Sequence, residues 1–219
     1  MVFSSLIFMF AYLPLTLACY YLVPRRWRNL VLFLVSLAFY GWGEPVYIVL
    51  MVVSITTAYL FGFLIEKNRT QNPGRAKRAM IWSLAVNLSF LFFFKYFNFL
   101  SGSVSGIVEL LGGTPSRLEL DLILPVGISF YTFQTLSYVI DVYRGKVEVQ
   151  KDFLTLACYV ALFPQLIAGP IVRYSDCEKA LKARTSDPER VSEGVRRFIF
   201  GFAKKILIAN QMAAVWEEI

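Results

Sequence analysis

Six long apolar runs in 219 residues leave few architectures open. They cover roughly 2–23, 30–43, 46–65, 79–100, 123–142 and 153–172, and a mixed helix follows over about 191–216. A helix of about 20 apolar residues matches the hydrocarbon core of a bilayer and satisfies its own backbone there. One soluble core has no use for so many such runs. With 57% hydrophobic residues and a mean hydropathy of +0.58, the chain reads as an all-α integral membrane protein. The expected architecture is a polytopic helical bundle forming a single membrane domain over 1–219. The run 30–43 is short for a span and would lean on Trp27 and Trp42 at the two interfaces. Pro14 predicts a kink in the first span, and Gly43-Glu44-Pro45 a tight turn. No Lys or Arg precedes Arg25, so the N-terminus lacks the basic region of a cleavable signal and reads as a retained span.

Basic residues alternate between the connections. The stretch 24–28 carries Arg25, Arg26 and Arg28, the turn at 44–45 none, and 66–79 carries Lys67, Arg69, Arg75, Lys77 and Arg78. Residues 101–122 carry only Arg117, and 143–152 carry Arg144, Lys146 and Lys151. The pattern predicts an N-terminus outside and basic loops in the cytoplasm. It breaks at 153–172, because the segment after this run is again strongly basic. A re-entrant 153–172 that dips in and returns repairs it, with 173–190 at the cytoplasmic surface. The alternative is a full crossing with basic residues tolerated outside. Within the run, Pro164, Gly169 and Pro170 predict a structural bend, and broken backbone at membrane depth must be buried in protein or line water. Ser186-Asp187-Pro188-Glu189 reads as a helix start. The helix after it is amphipathic early, then mostly apolar, and suits an interface. The net charge of +7 fits orientation and attraction to membrane lipids, and no nucleic-acid motif occurs.

Chemistry-bearing residues concentrate between 124 and 174. On a helix, Gly127, Tyr131, Gln134, Tyr138 and Asp141 share one face. A carboxylate facing lipid would cost about 2.5–3.5 kcal/mol at mid-depth. This face can glue helices together by hydrogen bonds, or it can line a path for a ligand. Gln165 is the natural internal partner for the broken backbone, and Arg173 and Tyr174 stand at its mouth. Lys95, within an aromatic cluster, is expected to snorkel to an interface. Cys19, Cys158 and Cys177 form no CxxC, so neither a disulfide framework nor a metal site is expected. The chain has no histidine, and no GxSxG, P-loop or GxGxxG. No catalytic residue can therefore be assigned.

The segments FSSLIFMFAYLPL, FYGWGEP, FFFKYFNF, LPVGISFYTFQTLSYVIDVYRG and FPQLIAGPIVRY, in this order, resemble the membrane-bound O-acyltransferase family. The alginate O-acetyltransferase-like branch is the nearest in character. The resemblance implies a helical fold with a funnel from outside and an inner opening, and transfer of an acyl group, often acetyl, to an extracytoplasmic polysaccharide or cell-surface polymer. It implies residence in the cell membrane and a cytoplasmic donor, acetyl-CoA or a carrier-borne acyl group, with no bound cofactor. An extracytoplasmic partner acyltransferase or polysaccharide machinery would complete the transfer. Tyr131, Gln134, Tyr138, Asp141, Gln165, Arg173 and Tyr174 would then line the funnel or tunnel. The family's catalytic histidine lies in an apolar segment C-terminal to everything present here. The chain thus resembles the N-terminal half of a typical member, either as a fragment or as a short protein that kept the scaffold. The alternative to an enzyme is a non-catalytic membrane scaffold or transporter-like subunit.

Overall fold

A computed structural model describes residues 5–112, 124–166, 170–182, 184 and 187–217. Every regular element among them is helical. A wide π-turn at Phe8–Tyr12 leads into α1 (Leu13–Leu22), then come α2 (Arg28–Gly41), α3 (Ile48–Arg69) and α4 (Pro73–Leu110). They are followed by α5 (Ile128–Tyr143), α6 (Phe153–Ala161), the short α7 (Phe163–Leu166) and α8 (Tyr174–Lys182). The last helix runs from α9 (Pro188–Lys204) through a second π-turn at Lys205–Ala209 into α10 (Asn210–Glu217).

Local chemistry explains the boundaries. Pro14 falls in the first turn of α1, directly after the π-turn, so its missing N–H is absorbed where the backbone has already widened. The turn at Gly43-Glu44-Pro45 is closed by the Gly43 and Glu44 amides donating to the Tyr40 carbonyl. The side chain of Asn72 caps α4, accepting from the Arg75 amide, and Pro73 occupies the first turn. α4 therefore starts earlier than its apolar run. It also continues to Leu110, so the first part of 101–122, expected to be a loop, is helix. At 38 residues it is about 57 Å long, well beyond the roughly 30 Å hydrocarbon thickness. Asp187 caps α9 by accepting from the Glu189 amide, within the helix start predicted at 186–189; its neighbour Ser186 lies outside the described residues.

Among the described residues two helices, α3 and α4, are long and apolar enough to cross a membrane. They form an antiparallel hairpin, and α5 packs into the angle between them. α6 rests on α2 and α3, and α8 closes over α5 and α6. The core joins Met51, Ile55, Ile65, Val139, Leu156 and Val160, all fully buried. Outside, Leu22, Val49, Phe99, Val104, Ile107 and Leu110 are exposed apolar side chains. Inside, Ser36, Ser54, Ser83, Asn87, Gln134 and Thr135 are buried polar ones. This inside-out distribution suits an apolar solvent.

The run 153–172 is broken just before Pro164. The helix ends at Leu162 (φ −56°, ψ 112°). Pro164 sits inside α7, within its first turn, where a proline costs little. Pro170 is exposed, and Gly169 lies outside the described residues. The backbone groups freed by the break find partners. The Phe163 amide donates to Ser36 Oγ at 3.2 Å, and Gln165 Nε2 donates to the Tyr159 carbonyl at 2.5 Å. Both ends of the segment reach the same place. Gln150 Oε1 accepts from the Asp152 amide just before α6 (3.0 Å), and Gln150 Nε2 donates to the Tyr174 hydroxyl at the head of α8 (2.6 Å).

Candidate functional site

α5 is the helix on which the predicted site residues converge. Gly127, expected to begin their shared face, precedes the helix instead, in the left-handed region (φ 77°). A Cβ there would stand 2.7 Å from the Leu166 carbonyl oxygen. Only glycine lets the backbone of α7 approach so closely and turns the chain into α5. Beyond it, Tyr131, Gln134, Tyr138 and Asp141 are all buried, and the more exposed face carries Ser129, Phe133, Ser137 and Ile140. α5 also buries Thr132, Thr135 and Leu136, so it is a central strut enclosed on most sides and not two-faced as its sequence suggests.

The site residues separate into two groups. The lower group is fully engaged. The Tyr138 hydroxyl accepts from the Gln150 amide at 2.9 Å, and its ring meets Tyr174 edge-on at 5.1 Å. Tyr174 in turn meets Tyr159 at 5.3 Å, whose hydroxyl donates to the Val172 carbonyl at 2.8 Å. These tyrosines clasp α5, α6 and α8 around Gln150. Asp141 lies on the same side, buried, with its side chain in no ion pair among the described residues, and Arg144 just past the end of α5 is exposed. Arg173 is exposed, and Gln165 is half-buried and occupied by Tyr159.

The upper group is not satisfied. Tyr131 Oη and Gln134 Oε1 are buried without a hydrogen-bond partner among the described residues, and so is Tyr40 Oη from α2. Tyr131 and Tyr40 belong to the same buried core. Three orphaned polar atoms in one region are unusual in a folded interior, where such a group costs about 1–3 kcal/mol. They offer neutral donors and acceptors to something that enters. They hold no base, and no cluster of metal ligands occurs among the described residues.

Three residues of this interior carry weaker signals in the sequence. Asn87 in α4 accepts from Ser54 Oγ of α3, donates to the Ser83 carbonyl at 2.9 Å, and stands 3.5 Å from Thr135 Oγ1 of α5. It is a polar residue inside an apolar run, the same signal that marks Lys95. Lys95 itself is exposed, its Nζ 5.6 Å from the Tyr96 ring. Gln150 stands in a polar connection that reads as surface. Tyr40 is concealed among the aromatic residues of FYGWGEP.

The clasp makes a direct prediction. Gln150→Ala removes the partners of Tyr174 and of the Asp152 amide and should cost about 2 kcal/mol, opening the α8 end roughly 30-fold more often. Limited trypsin digestion of the detergent-purified chain should then cut after the exposed Arg173 at a correspondingly higher rate. An unchanged rate would mean that Gln150 does not hold the two ends.

The chain is similar over nearly its whole length to bacterial O-acetylating proteins. It is 40% identical over 215 residues to the "Probable alginate O-acetylase AlgI" of Pseudomonas aeruginosa, covering 98% of this chain and 41% of that protein. It is also 40% identical to the protein of the same name from Azotobacter vinelandii, over 98% of this chain and 43% of that one. It is 31% identical to the "Peptidoglycan O-acetyltransferase" of Helicobacter pylori, over 97% of this chain and 45% of the relative. The chain thus spans less than half the length of the curated relatives it matches. No family model matches it. No solved structure matches it.

Proposed function

We propose, from the premise that this chain is a homologue of the alginate O-acetylases of the membrane-bound O-acyltransferase family along nearly its whole length, that it supplies the N-terminal part of a membrane O-acetyltransferase for a cell-surface polymer. In this reading the chain builds the wall of an internal path, and the orphaned Tyr40, Tyr131 and Gln134 atoms carry the argument. They would hold an acyl donor or acceptor by neutral hydrogen bonds while a base from elsewhere in the protein performs the proton transfer. Asp141, Tyr138, Gln165, Arg173 and Tyr174 would shape the inner end. The donor is acetyl-CoA or a carrier-borne acyl group from the cytoplasm. An extracytoplasmic acyltransferase or polysaccharide machinery would receive the group.

In the complete protein, Tyr131→Phe and Gln134→Leu should each lower acetyl transfer about tenfold, the effect of losing roughly 1.4 kcal/mol of transition-state stabilisation. Membrane levels of the variants should be unchanged, because Tyr131 Oη and Gln134 Oε1 have no hydrogen-bond partner among the described residues. Full activity in both would sink the lining role. A non-catalytic scaffold or transporter-like subunit is the second reading, favoured by the lack of any histidine in these 219 residues. A complete protein that binds its machinery but moves no acetyl group would support it.

For the membrane arrangement we propose a polytopic bundle, N-terminus outside, with 153–172 re-entrant and 173–190 at the cytoplasmic surface. Its support is the convergence of the basic segments at one end. Arg69 Nη1 donates to the Val142 carbonyl at 3.0 Å beside Gly145, Gln150 meets Tyr174, and Arg25, Arg26 and Arg28 face Lys182 and Arg184 across one cleft. Cys177 in α8 tests the sidedness. Burial, then the neighbouring Asp176 carboxylate, push its thiol up to about 11. Its labelling by a membrane-impermeant maleimide should therefore be slow at neutral pH and clear at about pH 9, because the thiolate is the reactive form. With Cys19 and Cys158 replaced by Ser, reagent on the cytoplasmic side alone should modify it. Labelling from outside alone would overturn the re-entrant arrangement.

A further inference from the structure

A cleft of about 540 Å³ opens at the basic end, between the stretch leading into α2, the start of α6 and the end of α8. Arg25, Arg26, Arg28, Lys182 and Arg184 line it, and Asp152 is the one carboxylate among its described lining residues. That carboxylate is already committed. Its oxygens accept from the Leu154 and Thr155 amides (3.2 and 3.1 Å) and from Thr155 Oγ1 (2.5 Å), capping α6. Lys182 is paired with Glu178 at 2.6 Å. None of the four arginines is in an ion pair among the described residues.

Their placement is held and convergent. The Arg28 guanidinium sits 4.8 Å from the centre of the Tyr20 ring, and that of Arg184 sits 5.7 Å from the same ring. One aromatic ring therefore orients two like charges from segments more than 150 positions apart in sequence. Arg28 Nε is buried with no acceptor among the described residues. Asn29 pins the floor, its Nδ2 donating to Thr155 Oγ1 at 2.9 Å and to the Leu181 carbonyl at 3.4 Å. Like charges brought together in a partly enclosed space repel unless an anion sits among them. Planar, bidentate guanidinium donors match phosphate oxygens, and a volume of this size exceeds that of an inorganic anion.

We propose that this cleft binds a phosphate group carried by a larger molecule. Two sources share that chemistry: the headgroup of an acidic phospholipid, and the phosphates of a soluble ligand. The inference stands apart from the acyl-transfer reading, because it uses none of the residues assigned to the internal path.

Arginine footprinting with phenylglyoxal, read by peptide mass spectrometry, tests it on the purified full chain in a neutral detergent. Inorganic pyrophosphate is added at constant ionic strength in one arm. In the other arm, dioleoylphosphatidylglycerol or dioleoylphosphatidylcholine is added to the micelles. Arg75 and Arg78, exposed at the start of α4, are the internal controls. At roughly ten times the dissociation constant, modification of Arg26 and Arg184 should slow about tenfold while the controls are unaffected. Protection by pyrophosphate identifies a soluble phosphate; protection by phosphatidylglycerol alone identifies a lipid. Arg184→Gln should weaken the protection of Arg26 in either case. The proposal is overturned if neither arm protects, if the controls are protected equally, or if Arg26 and Arg184 are unreactive without ligand, since the polypeptide itself would then fill the cleft.

Discussion

Gly127→Ala is expected to cost about 3 kcal/mol or more, the largest loss for alanine at any glycine whose surroundings are described. Two penalties coincide. An L side chain at φ 77° is strained by about 1–2 kcal/mol. Its Cβ would also press on the Leu166 carbonyl oxygen at 2.7 Å, a backbone atom that cannot swing aside. Gly145 provides the contrast. It too has a positive φ (71°), but its Cβ would meet only the far end of the Arg69 side chain, at 3.1 Å. Gly145→Ala should therefore lose only the conformational part, about 1 kcal/mol. Thermal unfolding in detergent micelles checks both. Gly127→Asn separates the causes, because asparagine tolerates the left-handed conformation yet still carries a Cβ. If Asn restores stability, the close approach of α7 is not what requires the glycine.

The second large effect is expected at Asn87. Its side chain joins three helices, with Ser54 on α3 and Thr135 on α5 facing it from α4. Asn87→Leu leaves the Ser54 hydroxyl without its acceptor in a fully buried position and should cost about 2 kcal/mol. Thr135 keeps its bond to the Thr132 carbonyl at 2.7 Å and adds little. Ser54→Ala alone should cost about 1 kcal/mol, and combining it with Asn87→Leu should cost no more than Asn87→Leu, because the orphaned hydroxyl is gone. Strict additivity would show that the two residues do not share a bond. An effect nearer 0.6 kcal/mol, the average found for polar contacts between membrane helices, would show that the unfolded chain finds other partners.

The elements that declared themselves in the sequence are those whose physics is local. Apolar run length located every helix from α1 to α6, and the start of α9 was readable at 186–189 because cap and donor lie two residues apart. What stayed hidden depends on partners distant in the chain. The break at Leu162, two residues before Pro164, is stabilised by Ser36, which lies 127 residues before the Phe163 amide it accepts from. α4 outran its apolar run because a capping side chain and a proline set its start, and hydropathy records neither. The polar face of α5 was legible as a face, but the division of its residues was not. Whether Tyr138 is engaged or Tyr131 is orphaned depends on Gln150 and Tyr40, which sit in segments whose composition suggests surface and aromatic belt. The acyltransferase resemblance came from motif order, and the relatives that share it are more than twice as long as the chain.

The return of residues 153–174 to Gln150 has a consequence for parity. In the proposed membrane arrangement, polypeptide continuing from α8 departs from the end at which α6 began. An orientation obtained by counting apolar runs scores 153–172 as one traversal. It therefore assigns each later connection to the opposite compartment. If that arrangement holds in longer relatives that share this segment, such a count is inverted downstream of the position matching Tyr174.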